Sequence, residues 1–251
     1  ACTIVTTMVI LGGALALNVL TGINVKIAVL VSPVAFCFYS SITGLRGSII
    51  TDYLQVAIIL IIGLGLSVIF YYKYGDFGIC SMVENFHNKG KFINITSYSG
   101  IMFGIVNTIG NFGTVFLDQT YWQRAIAVNY KSAGSCFLTA GLVWFAIPLC
   151  IATALGVGGL AVGINVSDST IIAPLTAYHV SGNVGGVAFL VMLFMAIIST
   201  GNSESVAVAS IVANDIYRLN IRPQATDRQI LIVSRFTTGL FGIIAGILSF
   251  L

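Results

Sequence analysis

Charge is what this chain has least of. Asp, Glu, Lys and Arg make up 8% of its 251 residues, against about 25% in a soluble globular domain. So few charges cannot cover a water-facing surface, which excludes a single solvated core. Proline is scarce as well, at 4 residues, while hydrophobic residues reach 57%, far more than a disordered chain carries. The formal charge of +3 falls short of the basic stripe that nucleic acid requires, so no nucleic-acid partner is expected. Histidine occurs only at His87 and His179, and no Cys/His group has the spacing of a metal site. Neither a nucleophile elbow nor a phosphate loop is present, which argues against an enzyme. The five cysteines, Cys2, Cys37, Cys80, Cys136 and Cys150, are scattered and predict no disulfide framework.

What the chain does have is long apolar runs. A helix crosses roughly 30 Å of hydrocarbon with about 20 mainly apolar residues. Seven blocks meet or approach that length: 1–21, 25–43, 49–71, 101–118, 135–160, 184–212 and 229–251. The two long connections, 72–100 and 161–183, are expected outside the cell. The chain opens ACTIVTTMVILGG, with no initiator Met and no basic region ahead of the apolar run, so it is no signal peptide. It closes inside another apolar block and reads as a piece of a longer membrane protein, truncated at both ends.

Cytoplasmic loops collect Lys and Arg. With residue 1 inside, Arg46, Arg124, Lys131, Arg218, Arg222, Arg228 and Arg235 fall inside, and only Lys26, Lys73, Lys89 and Lys91 fall outside. The bias predicts a cytoplasmic N-terminus. Two sequons, Asn94-Ile-Thr96 and Asn165-Val-Ser167, then lie in outside connections, the side on which a plasma-membrane glycoprotein is modified.

Polar groups inside the spans are the candidates for function, because an ionisable side chain near mid-membrane usually faces a cavity or a partner. In the sixth span Ala196, Ser199, Thr200, Ser203 and Glu204 share one helical stripe, opposite Ile197, Ile198 and Val206. The hydroxyls of Ser199 and Thr200, with the Ala196 carbonyl, offer half a shell for a small cation; a hydroxyl-lined helix contact is the plainer alternative. Glu204 needs a proton, a cation or a substrate donor. Asp52, near the inner end of the third span, is either functional or an acid favoured by the helix dipole. Asp118 and Arg124, six residues apart, read as a boundary ion pair. The fourth span carries VNTIGNFGTVF, whose glycines and amides predict a broken helix lining a cavity.

The stretches GNFGTVFLDQTYWQRAIA and MAIISTGNSESVAVASIVANDIYRLNIRPQATDRQ, with TGLRGSIITDYLQ upstream, resemble the sodium/solute symporter family, and within it the urea active transporters of fungi and plants. The resemblance implies an all-α integral membrane fold with an inverted-repeat, five-plus-five transporter core. The seven spans here would be core helices three to nine of a single transmembrane transport domain over 1–251. It also implies roles residue by residue. Ala196, Ser199 and Thr200 match the family's sodium pattern. Asn202 and Ser203 match positions beside a second cation site found in part of the family, and Asp52 matches its acidic member. Asn111 matches a polar substrate contact, and Thr114 falls where sugar-transporting members carry a gating tyrosine. With Val115 replacing the aromatic that follows, the shelf for a pyranose ring is lost. A small planar amide, held by Asn111, Thr114 and Glu204, suits the remainder.

The expected function is cation-coupled secondary active symport of urea, or of a similar small polar solute such as a polyamine, by alternating access. No cofactor is expected; the coupling ion is sodium or, through Glu204 or Asp52, a proton. Membrane lipid and a small-molecule substrate are the implied partners, with the oligomeric state open. The alternatives are a symporter of the same family for another solute, a passive urea channel, and a seven-helix receptor.

Overall fold

In hydrocarbon every backbone N–H and C=O must be satisfied internally, and the described residues meet that demand with helices. The structure, a computed structural model, describes residues 1–73, 80, 83–84, 97–161, 163–164 and 169–250. Helix α1 (Cys2–Thr21) ends where Gly22 adopts a φ of 74° and its N–H reaches the Asn18 carbonyl at 2.7 Å. Helix α2 (Val25–Ile42) starts behind Asn24, whose Oδ1 accepts from the Lys26 N–H at 2.9 Å. The chain passes into α3 (Gly47–Tyr72) through Gly44, at φ 58° and ψ −166°, a conformation that a residue with a Cβ adopts only at a cost. Ser97 caps α4 (Tyr98–Leu117) by accepting from the Gly100 N–H at 3.1 Å.

A short helix, α5 (Gln119–Ala127), is followed by α6 (Tyr130–Ala161), which contains Pro148 and a π-helical stretch over Ala152–Val157. Helix α7 (Ile172–Ile221) is interrupted at Gly182 (φ 60°, ψ −147°) and becomes π-helical over Ile211–Ile221. A capping box of Thr226 and Gln229 opens α8 (Asp227–Leu248). All but α5 are long and apolar enough to cross a membrane, seven in number among the described residues. The chain is an all-α integral membrane protein.

Two expectations change at this level. Helix α7 begins at Ile172, so much of the connection 161–183 is itself helical, and His179 stands on that helix with its ring edge-on to Tyr178. The sequons at Asn94 and Asn165, together with His87, Lys89 and Lys91, lie outside the described residues. The second change concerns the fourth span, which is not broken. Helix α4 is continuous, and the four polar side chains in its second half turn back onto its own backbone. Asn107 Nδ2 donates to the Phe103 carbonyl at 2.9 Å, Thr108 Oγ1 to Gly104 at 2.8 Å, Asn111 Nδ2 to Asn107 at 2.8 Å and Thr114 Oγ1 to Gly110 at 2.9 Å. The helix thus satisfies its own amides and hydroxyls, and unwinding would gain nothing. The break comes at Asp118, extended at φ −93° and ψ 117°, directly before α5 and in the place of an N-cap residue.

The chain divides into two compact units. The first takes in Ala1–Ile59, Gln119–Asn129 and Leu190–Leu251. Its core is Ile10, Ala14, Ala28, Val29, Phe36 and Ala245. Small residues set the approach of its helices: Gly13 lies against Ile197, Gly201 against the Phe36 ring and Gly242 against Cys37. Lipid tails are as apolar as Leu, so such close packing, rather than escape from water, holds membrane helices together. The second unit, Leu60–Asp118 with Tyr130–Phe189, packs Phe70 of α3 over Gly158 of α6 and Thr176 of α7 beside Gly159. Its cross-links are neutral or singly charged. Ser67 Oγ donates to the Cys150 carbonyl at 3.4 Å, the Tyr71 hydroxyl to Thr153 Oγ1 at 3.2 Å, and the Lys73 ammonium to the Val180 carbonyl.

Candidate functional site

A carboxylate accepts hydrogen bonds and donates none, so inside a helix, where every N–H is engaged, it must find its donors on another element. Asp52 and Glu204 both face that requirement in the first unit. Asp52, in the second turn of α3, is 8% exposed, and Glu204 on α7 is 4% exposed. Around them residues 201–207 of α7 are all buried, and on the opposite, apolar side Ile197 and Val206 are buried too.

The donors for Asp52 come from three helices. Ser199 Oγ of α7 donates to Oδ1 at 2.7 Å. Arg124 of α5 forms an ion pair with Oδ2, and the same guanidinium nitrogen donates to Ser203 Oγ. Ser48 and Ser203 approach Oδ2 more distantly, each at 3.4 Å. Ser203 has a single proton, and its 2.8 Å bond to the Ser199 carbonyl takes that proton in preference to the longer approach. Glu204 Oε2 accepts from Thr120 Oγ1 at 3.1 Å, and Gln123 Nε2 donates to the Ala207 carbonyl at 3.3 Å. Thr120, Gln123 and Arg124 stand three and four positions apart, on one face of α5, and that face is what docks on α7.

One helix further, Asn202 is fully buried and its Oδ1 accepts from Ser40 Oγ of α2 at 2.7 Å. Among the described residues, Asn202 Nδ2 and Gln55 Oε1 are buried without a hydrogen-bond partner. Ala196, Ser199 and Thr200 are half-buried.

The structure therefore brings Asp52, Ser199, Asn202, Ser203 and Glu204 into one buried region of the first unit. Asn111 and Thr114 belong to the second unit, on α4, where Asn111 is exposed and Thr114 half-buried. Arg124, expected to pair with Asp118, pairs with Asp52. Residues six apart face different sides of a helix. Ser40, Ser48, Thr120 and Gln123 escaped the sequence reading, which named Arg124 only as a mate for Asp118. The signal for Thr120, Gln123 and Arg124 was there: QTYWQR places Thr, Gln and Arg on one face of a short helix, ready to supply the donors that a buried acid needs.

The chain is similar to the urea-proton symporter DUR3 of Oryza sativa subsp. japonica, at 35% identity over 98% of this chain and 38% of that protein. It is similar to the urea active transporter of Saccharomyces cerevisiae at 31% identity, over 96% of this chain and 36% of the other. At greater distance it resembles the high affinity choline transporter 1 of Homo sapiens, at 23% identity over 90% of this chain and 41% of the other. The chain thus spans well under half the length of these curated relatives. No solved structure matches it. The model of one family matches residues 1–250, a range that holds the seven membrane helices found among the described residues and the buried carboxylates Asp52 and Glu204, and the chain belongs to the sodium:solute symporter family.

Proposed function

We propose that this chain is part of a cation-coupled symporter that imports urea, or a similar small polar solute, by alternating access. Two things support the reading: the names carried by its relatives, a urea-proton symporter and a urea active transporter among them, and the half-buried contact of Ser199 with Asp52. The second carries the mechanism. By donating its proton to Asp52, Ser199 leaves both lone pairs of its oxygen for a cation, and Thr200 Oγ1 and the Ala196 carbonyl lie within one turn. Small hard cations take such neutral and anionic oxygens. Asp52 thus positions the Ser199 hydroxyl and adds negative charge nearby without itself being a ligand. Whether the cation is sodium or a proton turns on Ser199 and Thr200 against Glu204, whose carboxylate accepts from the neutral Thr120 hydroxyl.

For substrate, Glu204 offers an acceptor for the N–H groups of an amide, and Asn111 and Thr114 are proposed contacts from the match of their positions. The charge bias supports a cytoplasmic N-terminus, and import from outside the cell calls for residence in the plasma membrane. These relatives are transporters by name, which leaves the receptor reading of a seven-span chain without support. The test is uptake of radiolabelled urea by the full-length protein, with the sodium gradient and the pH gradient varied separately. Accumulation above the external concentration that collapses with one of the two gradients is expected. Uptake that only equilibrates would identify a passive channel and overturn symport.

A further inference from the structure

In the part of the family that carries two cation sites, the positions matching Asp52, Asn202 and Ser203 surround the second. Here the oxygens of Asp52 and Ser203 are already engaged by proton donors. Asp52 Oδ1 holds the Ser199 hydroxyl at 2.7 Å, and Oδ2 holds the Arg124 guanidinium. Ser203 Oγ accepts from Arg124 and gives its own proton to the Ser199 carbonyl at 2.8 Å. Asn202 Oδ1 and the Phe36 carbonyl share the single Ser40 proton, each at 2.7 Å. A metal ion placed among them would displace these donors and stand beside a guanidinium, a group that stays protonated at any physiological pH. The residues present do not fit a second metal ion.

We infer that Arg124 is a resident cation: its guanidinium fills the place of a second coupling ion between Asp52 and Ser203, and leaves the protein with the Ala196–Ser199–Thr200 region as its single ion site. The inference rests on the symporter reading. Helix α5 is built to deliver that charge. Thr120 bonds Glu204 and Gln123 bonds the Ala207 carbonyl, at 3.1 and 3.3 Å, which fixes the helix on α7 with Arg124 aimed at Asp52. Removing the guanidinium without its partner leaves a buried carboxylate with three hydroxyls beside it, those of Ser48, Ser199 and Ser203, a site that a small monovalent cation can enter.

The experiment follows thermal melting of the purified full-length protein in sodium chloride and in potassium chloride of equal strength, for wild type, Arg124→Gln, Arg124→Lys, Asp52→Asn and the double variant Asp52→Asn/Arg124→Gln. Arg124→Gln is expected to gain a sodium-dependent rise in Tm beyond that of wild type. The double variant should lose that gain, and Arg124→Lys should respond as wild type does. A folded Arg124→Gln that responds to sodium no more than wild type overturns the inference. If Arg124→Gln folds poorly in potassium, its recovery in sodium supports the inference and the absence of recovery overturns it. Melting requires no substrate, so a protein that fails to accumulate urea refutes the symporter reading and leaves this result standing by itself.

Discussion

Helices α4 and α7 are both apolar spans with polar residues set into them, and they treat those residues in opposite ways. On α4 the amides and hydroxyls of Asn107, Thr108, Asn111 and Thr114 all return to carbonyls of their own helix, and no residue of the helix is buried. On α7 Thr176, Ser205 and Ser210 also return to their own helix, but a group of four is cross-linked to other helices: the half-buried Ser199 to Asp52, and the buried Ser203 to Arg124, Asn202 to Ser40 and Glu204 to Thr120. The difference lies in chemistry as much as in place. An amide or hydroxyl carries a proton and can donate it to the carbonyl four residues back. A carboxylate carries none, so Asp52 and Glu204 oblige other helices to supply donors. Polar content in a span therefore does not by itself mark a site; acceptor-only groups do.

The largest way to break this contrast is to strip one member of the ion pair. Asp52→Asn alone leaves the Arg124 charge, 35% exposed, without its partner, at a cost below the roughly 3–5 kcal/mol of stranding a fully buried charge. The double change Asp52→Asn/Arg124→Gln should cost less than the sum of the single changes, which thermal melting of the four proteins would reveal. Additive losses would mean that the two groups do not interact. Next in size is Gly201→Val. A Cβ at Gly201 meets the Phe36 ring, and overpacking of this sort costs about 1–3 kcal/mol. A Gly239→Ala control, where a Cβ has nothing within 4 Å, should melt close to wild type.

Glu204→Gln keeps an oxygen for Thr120 and removes only the charge. Its effect on folding should be small, while urea uptake is expected to fall or to lose its pH dependence. An uptake profile across pH identical to that of wild type would remove Glu204 from the mechanism. The smallest effect on stability is expected on α4. Asn111→Leu and Thr114→Ala remove bonds that each helix turn makes to itself, at exposed or half-buried positions, and surface changes of this kind stay within about 0.5 kcal/mol. If the two residues contact substrate, the Michaelis constant for urea rises in these variants while melting does not change. A fall in Tm as large as that of Asp52→Asn would erase the distinction between the two helices.

The seven spans were legible because a run of about 20 apolar residues has few other uses in a chain with so little charge. Their ends were less so: residues 172–183 include Tyr178, His179, Ser181 and Asn183, polar enough to read as a connection, yet helix continues through them around Gly182. The acids Asp52 and Glu204 stood out by scarcity. Their partners did not, because Arg124 lies 72 positions from Asp52 and the nearer Asp118 was the obvious mate in one dimension. The regular form of α4 was hidden for a related reason. Composition reports two glycines and two amides, but not that each donor can fold back on its own helix.

The proposed place of the coupling cation is the half-buried face of α7, with Asp52 holding the Ser199 hydroxyl toward itself. The direct measurement is the cation dependence of urea uptake by full-length Ser199→Ala/Thr200→Ala, titrated with sodium at fixed pH and then with pH at fixed sodium. The half-saturating cation concentration is expected to rise at least about tenfold, the equivalent of roughly 1.4 kcal/mol of lost binding, with transport recovering at high cation. A cation dependence unchanged from wild type, with uptake intact, would contradict it.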